Sequence, residues 1–353
     1  MSRTVTKLVK VPKPGPGQRR SRRMKPRERF RQILNFGKPD RLPVIEWAVW
    51  WDLTVKRWEQ EGAPHGLSGV ELQKYFDLDL LVQEWVSPCT GPLPEPVAHG
   101  APIVRDLTDY EAFRRAGSIH DPEKIHFSSF DRYSAEHEAG KSVFWFTLEG
   151  FFWFPRSLLG IEPHLYAFYD RPELLHRMNQ DQVDFSIRVL EKLFQKYRPE
   201  FMTFAEDLSY NHGPMLSREL FDEFLRPYYR QLIPLLHEHG VKVFADSDGD
   251  ISECLGWFRD AGFDGILPLE RMAGVDVQSL RERYPDMLFL GAFDKTVMHK
   301  GEAAIRREFE RLMPVARRGG FIPGCDHQTP PEVSLQDYRL YLKLYREYAA
   351  QLN

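Results

Sequence analysis

The sequence predicts an α/β protein folded as a single (β/α)8 TIM barrel over residues 25–353, behind a basic tail at 1–24. Three observations carry this reading. Eight short apolar runs alternate with longer amphipathic segments, the order that parallel strands and covering helices require. After about Lys25 no Pro/Gly/Ser-rich linker divides the chain into compositionally different halves. A length of 353 residues accommodates a barrel of roughly 250 residues with insertions.

The tail comes first. Residues 1–27 hold ten Lys/Arg and no acid, which leaves 38 basic against 51 acidic residues elsewhere, a net charge of −13. Pro12, Pro14 and Pro16, followed by Arg19, Arg20, Arg22 and Arg23, offer too little apolar surface to order a segment, so a solvated arm is expected. The acidic body would repel phosphates, and no nucleic-acid partner is predicted. The most apolar stretch, 144–154, is interrupted by Glu149 and falls short of the ~20 residues that span a bilayer. No membrane association is predicted. Cys89, Cys254 and Cys325 are too few and too scattered for a disulfide framework, and no apolar signal segment follows Met1. The expected setting is a reducing cytoplasm.

The strand candidates are residues 43–46, 78–84, 142–149, 201–206, 241–246, 265–270, 288–294 and 320–326. Among the helices between them, Leu220, Phe221, Phe224, Leu225, Tyr228, Leu232, Leu235 and Leu236 share one face behind a Ser217 N-cap, and Pro227 should kink that helix. Ser334 with Asp337 three residues later predicts a capping box opening the last helix.

Each apolar run ends on a carboxylate: Glu46, Glu84, Glu149, Glu206, Asp246, Glu270, Asp294 and Asp326. In a barrel these positions face the mouth where ligands bind, although an acid after a strand also caps a following helix. In VKVFADSDG, Asp246 and Asp248 are two apart and can converge; in GGFIPGCDHQTPP, Cys325 and His327 do the same. Carboxylate, thiolate and imidazole suit a borderline cation such as zinc, so these four are the candidate metal ligands. The loop FAEDLSYNHGP crowds Glu206, Asp207, Tyr210, Asn211 and His212 together. Glu206, Tyr210 and His212 are the candidate acid–base residues. Glu46, Trp50, Glu149, Trp153, Asp207 and Glu270 are the candidate substrate contacts, with Trp47, Trp50, Trp51, Phe151, Phe152 and Trp153 available to wall a planar or apolar ligand. Phosphate-cradling glycine loops, nucleophile elbows, H-E-x-x-H and paired CxxC motifs do not occur.

Four segments, PRERFRQILNFGKPDRLPV (26–44), LSRELFDEFLRPYYRQL (216–232), LFLGAFDKTVMHKGEAAI (288–305) and GGFIPGCDHQTPPEVS (319–334), resemble the uroporphyrinogen decarboxylase superfamily in content and order. The resemblance covers about residues 25–350. True uroporphyrinogen decarboxylases carry an arginine-bearing loop after the first strand, then an aspartate and a tyrosine. Here the loop reads IEWAVWWDLT without arginine, Glu84 stands near the aspartate, and GFFWFP lacks the tyrosine. Other members are methyltransferases that work with a corrinoid protein and bind zinc through His-x-Cys and a later Cys; Asp246, Asp248 and Cys325 match those ligand positions.

The resemblance therefore implies methyl transfer from a small, uncharged or aromatic methylated substrate to a corrinoid carrier, aided by a divalent metal such as zinc and a corrinoid-protein partner. The alternatives are a decarboxylase (lyase) of a cyclic or aromatic acid, and a non-catalytic ligand-binding barrel. A homodimer is the oligomer considered.

Overall fold

The computed structural model describes residues 23–352. Most of the basic tail expected at 1–24 lies outside the described residues; Met24 already belongs to the fold, its N–H donating to Asp40 at 3.0 Å.

One sheet of seven parallel strands organises the protein. Its order is β1 (Leu80–Val86), β2 (Ser142–Glu149), β3 (Phe201–Ala205), β6 (Lys242–Asp246), β7 (Gly265–Leu267), β8 (Leu288–Phe293) and β9 (Phe321–Cys325). A two-residue hairpin, β4 (Ser209–Tyr210) with β5 (Gly213–Pro214), stands apart. Every residue of β2, β3, β8 and β9 is buried, as expected where helices cover one face of a curled sheet and side chains fill the other.

The closed eight-stranded barrel is not formed. The sheet is an open half-barrel, with β1 and β9 unpaired to each other and no strand at 43–46. The reason is local. Pro43 has no N–H, and the N–H of Val44 is spent on the Asp79 carboxylate at 2.9 Å rather than on a neighbouring strand. One main-chain bond, Asp79 N–H to Val44 O at 2.8 Å, joins this segment to the start of β1. Side chains complete the seam. The Gln73 amide donates to Leu81 O (2.9 Å) and accepts from Leu81 N–H (2.8 Å), and Trp47 Nε1 donates to Cys325 O at 2.7 Å. Buried Arg29 and half-buried Arg41 fasten Asp79 from either side, at 3.1 and 2.7 Å.

The helical signals hold closely. Ser217 accepts from Leu220 N–H, and the helix Arg218–Phe224 breaks at Leu225 before Arg226–Glu238, with Pro227 in the new first turn. Proline there would leave Glu223 O without a donor and crowd it, so the chain bends instead. Ser334 and Asp337 form the capping box at the start of Leu335–Ala349. No helix among the described residues is long and apolar enough to cross a membrane.

Packing around the helix Ile161–Asp170 carries a pH signature. His164 is fully buried against Phe152 and Phe168, with no partner for either ring nitrogen among the described residues. Burial pushes its pKa down to about 3. Above pH ~6.5 the folded and unfolded chains both hold it neutral; below, only the unfolded chain takes the proton, so stability falls. Denaturant midpoints should show a loss of about 2 kcal/mol between pH 6.5 and 5 that His164→Phe removes. An unchanged acid limb in the variant would refute this.

Candidate active site

A cavity of about 340 Å3 opens at the C-terminal ends of the strands. Its wall is aromatic: Trp85 from β1, Trp145 from β2, Trp153 opening the helix Trp153–Leu159, and Trp47 from the segment after Glu46. Its other side is acidic, with Asp207, Asp246 and Asp248, faced by His327 and Gln328.

Each wall residue is held from behind. The Trp145 ring stacks on Phe201 (5.1 Å, 7°), Trp85 Nε1 reaches Glu149 at 3.4 Å, and the Arg156 guanidinium lies 4.6 Å over the Trp153 ring. Gln83 joins the lining and donates to Thr147, which pairs with Thr203, both at 2.8 Å. Such locked supports keep aromatic faces in place without a ligand.

The acids crowd one another. Asp207 adopts a left-handed backbone (φ 43°), held where its N–H and that of Glu206 both donate to Asp246 O. Its carboxylate accepts from Asp248 N–H at 3.3 Å, and burial with the Asp248 charge pushes its pKa up to about 6. The Asp246 carboxyl has no hydrogen-bond donor and no counter-ion among the described residues; burial, then the charges of Asp207 and Asp248, drive its pKa well above the usual range. Asp248 pairs with His327 Nε2 at 3.3 Å, which raises the imidazole's pKa.

Of the candidate metal set, the structure brings Asp246, Asp248 and His327 to this cavity and takes Cys325 elsewhere. Cys325 is fully buried in a second group with Glu46, Tyr338 and Tyr341. Strand alternation stops at Asp246 in β6 and at Cys325 in β9, so the two-residue spacing does not govern where Asp248 and His327 point. Among the described residues no three His, Cys, Asp or Glu side chains are grouped to hold a metal ion. The zinc set implied by the resemblance does not fit this arrangement.

The candidate acid–base residues also part company. Glu206 is fully buried and accepts from the N–H groups of Phe151 and Phe152 (both 2.8 Å) and Trp153 (3.4 Å), and from Tyr229 OH. It caps the helix that presents Trp153 and does not line the cavity. Tyr210 and His212 are exposed on the β4–β5 hairpin, whose backbone packs on Gly249: a Cβ there would sit 2.7 Å from Tyr210 Cα. Their ring contact, 5.7 Å between centroids, stays on that hairpin.

Among the candidate substrate contacts, Trp153 and Asp207 line the cavity. Glu270 accepts from Gly249 N–H (2.9 Å) and from Lys295 (3.3 Å), fixing the loop that carries Asp248. Glu149 stands behind Trp85. Trp50 is buried against Trp58, Phe76 and Tyr338. Glu46 accepts from Tyr338 OH at 3.2 Å, and burial pushes its pKa up to about 8. Glu46 and Trp50 face a neighbouring cleft of about 350 Å3 at the seam, which shares Trp47, Ala48, Val49, Gln83 and Trp145 with the mouth cavity. Glu84 is a helix cap, accepting from Ser129 and Phe130 N–H.

Trp85, Trp145 and Gln83 were not picked out from the sequence. Alternation in LLVQEWV places Gln83 and Trp85 on one face, and Trp145 lies opposite Gln83 in the β1–β2 register. That pattern was the available signal.

Fold and site together define a half-barrel α/β protein with an aromatic, acidic mouth at its strand ends. The profile of the uroporphyrinogen decarboxylase (URO-D) family matches residues 154–348, and the chain belongs to that family. Among solved structures, a methyltransferase from Methanosarcina mazei is similar at 12% identity and a TM-score of 0.63, covering 92% of this chain and 99% of its own; at that identity the likeness shows the fold. A B12-independent methionine synthase from Shewanella sp. W3-18-1 (12% identity, TM-score 0.38, 63% of this chain and 65% of its own) is more distant. So is a family 2 AP endonuclease from Brucella melitensis (14%, 0.40, 77% and 100%). No curated protein matches the sequence.

Proposed function

We propose that the protein is an enzyme that transfers a methyl group from a small methylated substrate seated in the mouth cavity. The observation that carries this reading is the lining: four tryptophans and three aspartates, with His327 the one basic side chain among the described lining residues. A carboxylic acid headed for decarboxylation would enter without a counter-ion and against like charge. A methylated substrate needs none.

In the transfer, the bond from the methyl carbon to its donor atom breaks with both electrons left on that atom, and the carbon bonds to a nucleophilic acceptor. A reduced corrinoid on a partner protein would supply such an acceptor. The chain's own residues bind and orient: the tryptophans exclude water, while Asp207 and the Asp248–His327 pair hold or give up a proton when the leaving atom requires one.

The test is to incubate the protein with free cob(I)alamin and a panel of methylated amines, ethers and phenols, following methylcobalamin by absorbance. Methylcobalamin formation above the protein-free rate is expected. Release of carbon dioxide from uroporphyrinogen or an aryl acid, with no methyl transfer from the panel, would overturn the proposal.

A further inference from the structure

We infer that the mouth cavity selects an organic cation, a quaternary or N-methylated ammonium group. This rests on reading the cavity as the substrate site and goes further by naming the substrate's chemical class. Two features of the same space point there independently.

The first is the aromatic wall. Trp85, Trp145, Trp153 and Trp47 reach the cavity from four separate segments. Indole faces are electron-rich, and a cation within ~6 Å of a ring is attracted most strongly by tryptophan, the more so when water is excluded. A merely apolar ligand would be served equally well by leucine and phenylalanine, which this chain uses throughout its core.

The second is a surplus of acidic groups over basic ones. Three carboxyl groups meet with one imidazole among the described lining residues, and Asp246 has neither donor nor counter-ion. The charged groups nearby are already engaged: Arg156 donates to Asp207 O at 3.0 Å and lies on Trp153, while Lys295 sits 3.3 Å from Glu270 and 4.0 Å from Asp326. A half-buried carboxyl left in this state is a cost to the fold that a cationic ligand lowers.

A quaternary ammonium suits both features. It has no N–H, so it asks for no hydrogen-bond acceptor at fixed geometry, and its charge favours ionisation of an Asp246 carboxyl that no donor holds. A volume of about 340 Å3 lies at the small end of ligand sites, roughly 300–1,000 Å3, and is ample for a small ammonium group.

The experiment compares choline with its neutral isostere 3,3-dimethylbutan-1-ol by calorimetric titration of the full chain, with tryptophan fluorescence as a second readout. Choline should saturate, and the alcohol should bind about tenfold more weakly or less. Asp246→Asn should cost choline about tenfold and leave the alcohol unchanged, whereas Trp85→Ala, at a half-exposed position that tolerates truncation, should weaken both. Equal binding of the two compounds, or no saturable choline binding by the folded protein, overturns the inference. Choline binding without methyl transfer from any amine would leave the inference standing and remove the proposed reaction. Transfer from neutral ethers without cation selectivity would do the reverse.

Discussion

Glu206→Ala is expected to destabilise the protein by about 3–5 kcal/mol, the scale of stripping one partner from a buried charged network. Glu206 is fully buried, and its two oxygens take three backbone N–H groups and the Tyr229 hydroxyl. Alanine leaves those donors without acceptors in a dry site, each at a cost of about 1–3 kcal/mol before relaxation. Tyr229 loses its partner too, in the middle of a ring cluster with Phe151, Phe204 and Phe263. Gly150→Ala should also destabilise, by collision, since a Cβ there would lie 2.0 Å from Glu206 Oε1. Equilibrium denaturation checks both variants. A normal midpoint with turnover alone abolished would return Glu206 to the chemistry, the role that its place at a strand end first suggested.

Asp246→Asn should behave in the opposite way. Turnover is expected to fall about a hundredfold or more, because an amide in the cavity lining cannot ionise when a cationic substrate enters. Stability should hold or rise, since a neutral amide replaces a carboxyl that burial and two like-charged neighbours already disfavour. Kinetics and a melting curve on one preparation separate the two effects. A large loss of stability at retained specific activity would make Asp246 structural.

These two acids show what was legible in the sequence. Both end apolar runs, and residues 142–149 and the Ser334 and Ser217 caps read directly, because strand and helix signals are local. The run at 43–46 looked like a strand, yet Pro43 has no N–H and that of Val44 is taken by Asp79, a residue 35 positions away. Whether a strand-end acid faces a ligand or a helix terminus is likewise decided by a distant segment. Glu84 meets Ser129, and Glu206 meets Phe151, while Asp246 meets no donor. Cys325 and His327 share a run but end in different surroundings, because the strand stops between them. The tryptophan wall needed the register of β1 on β2, which only pairing supplies.

At the seam closed by Gln73, β1 is an edge strand with a ladder on one side and a side-chain amide on the other. A strand inside a ladder exposes its amides only when two neighbours release it, but Leu81 N–H is guarded by one side-chain amide. In native-state hydrogen exchange, Leu81 should report an opening of the helix Gly69–Tyr75, which carries Gln73, at a free energy below that of global unfolding. Gln73→Ala would leave both main-chain groups of Leu81 to solvent or to another chain's edge, so soluble yield and aggregation rate, rather than melting temperature, are where that substitution should register first.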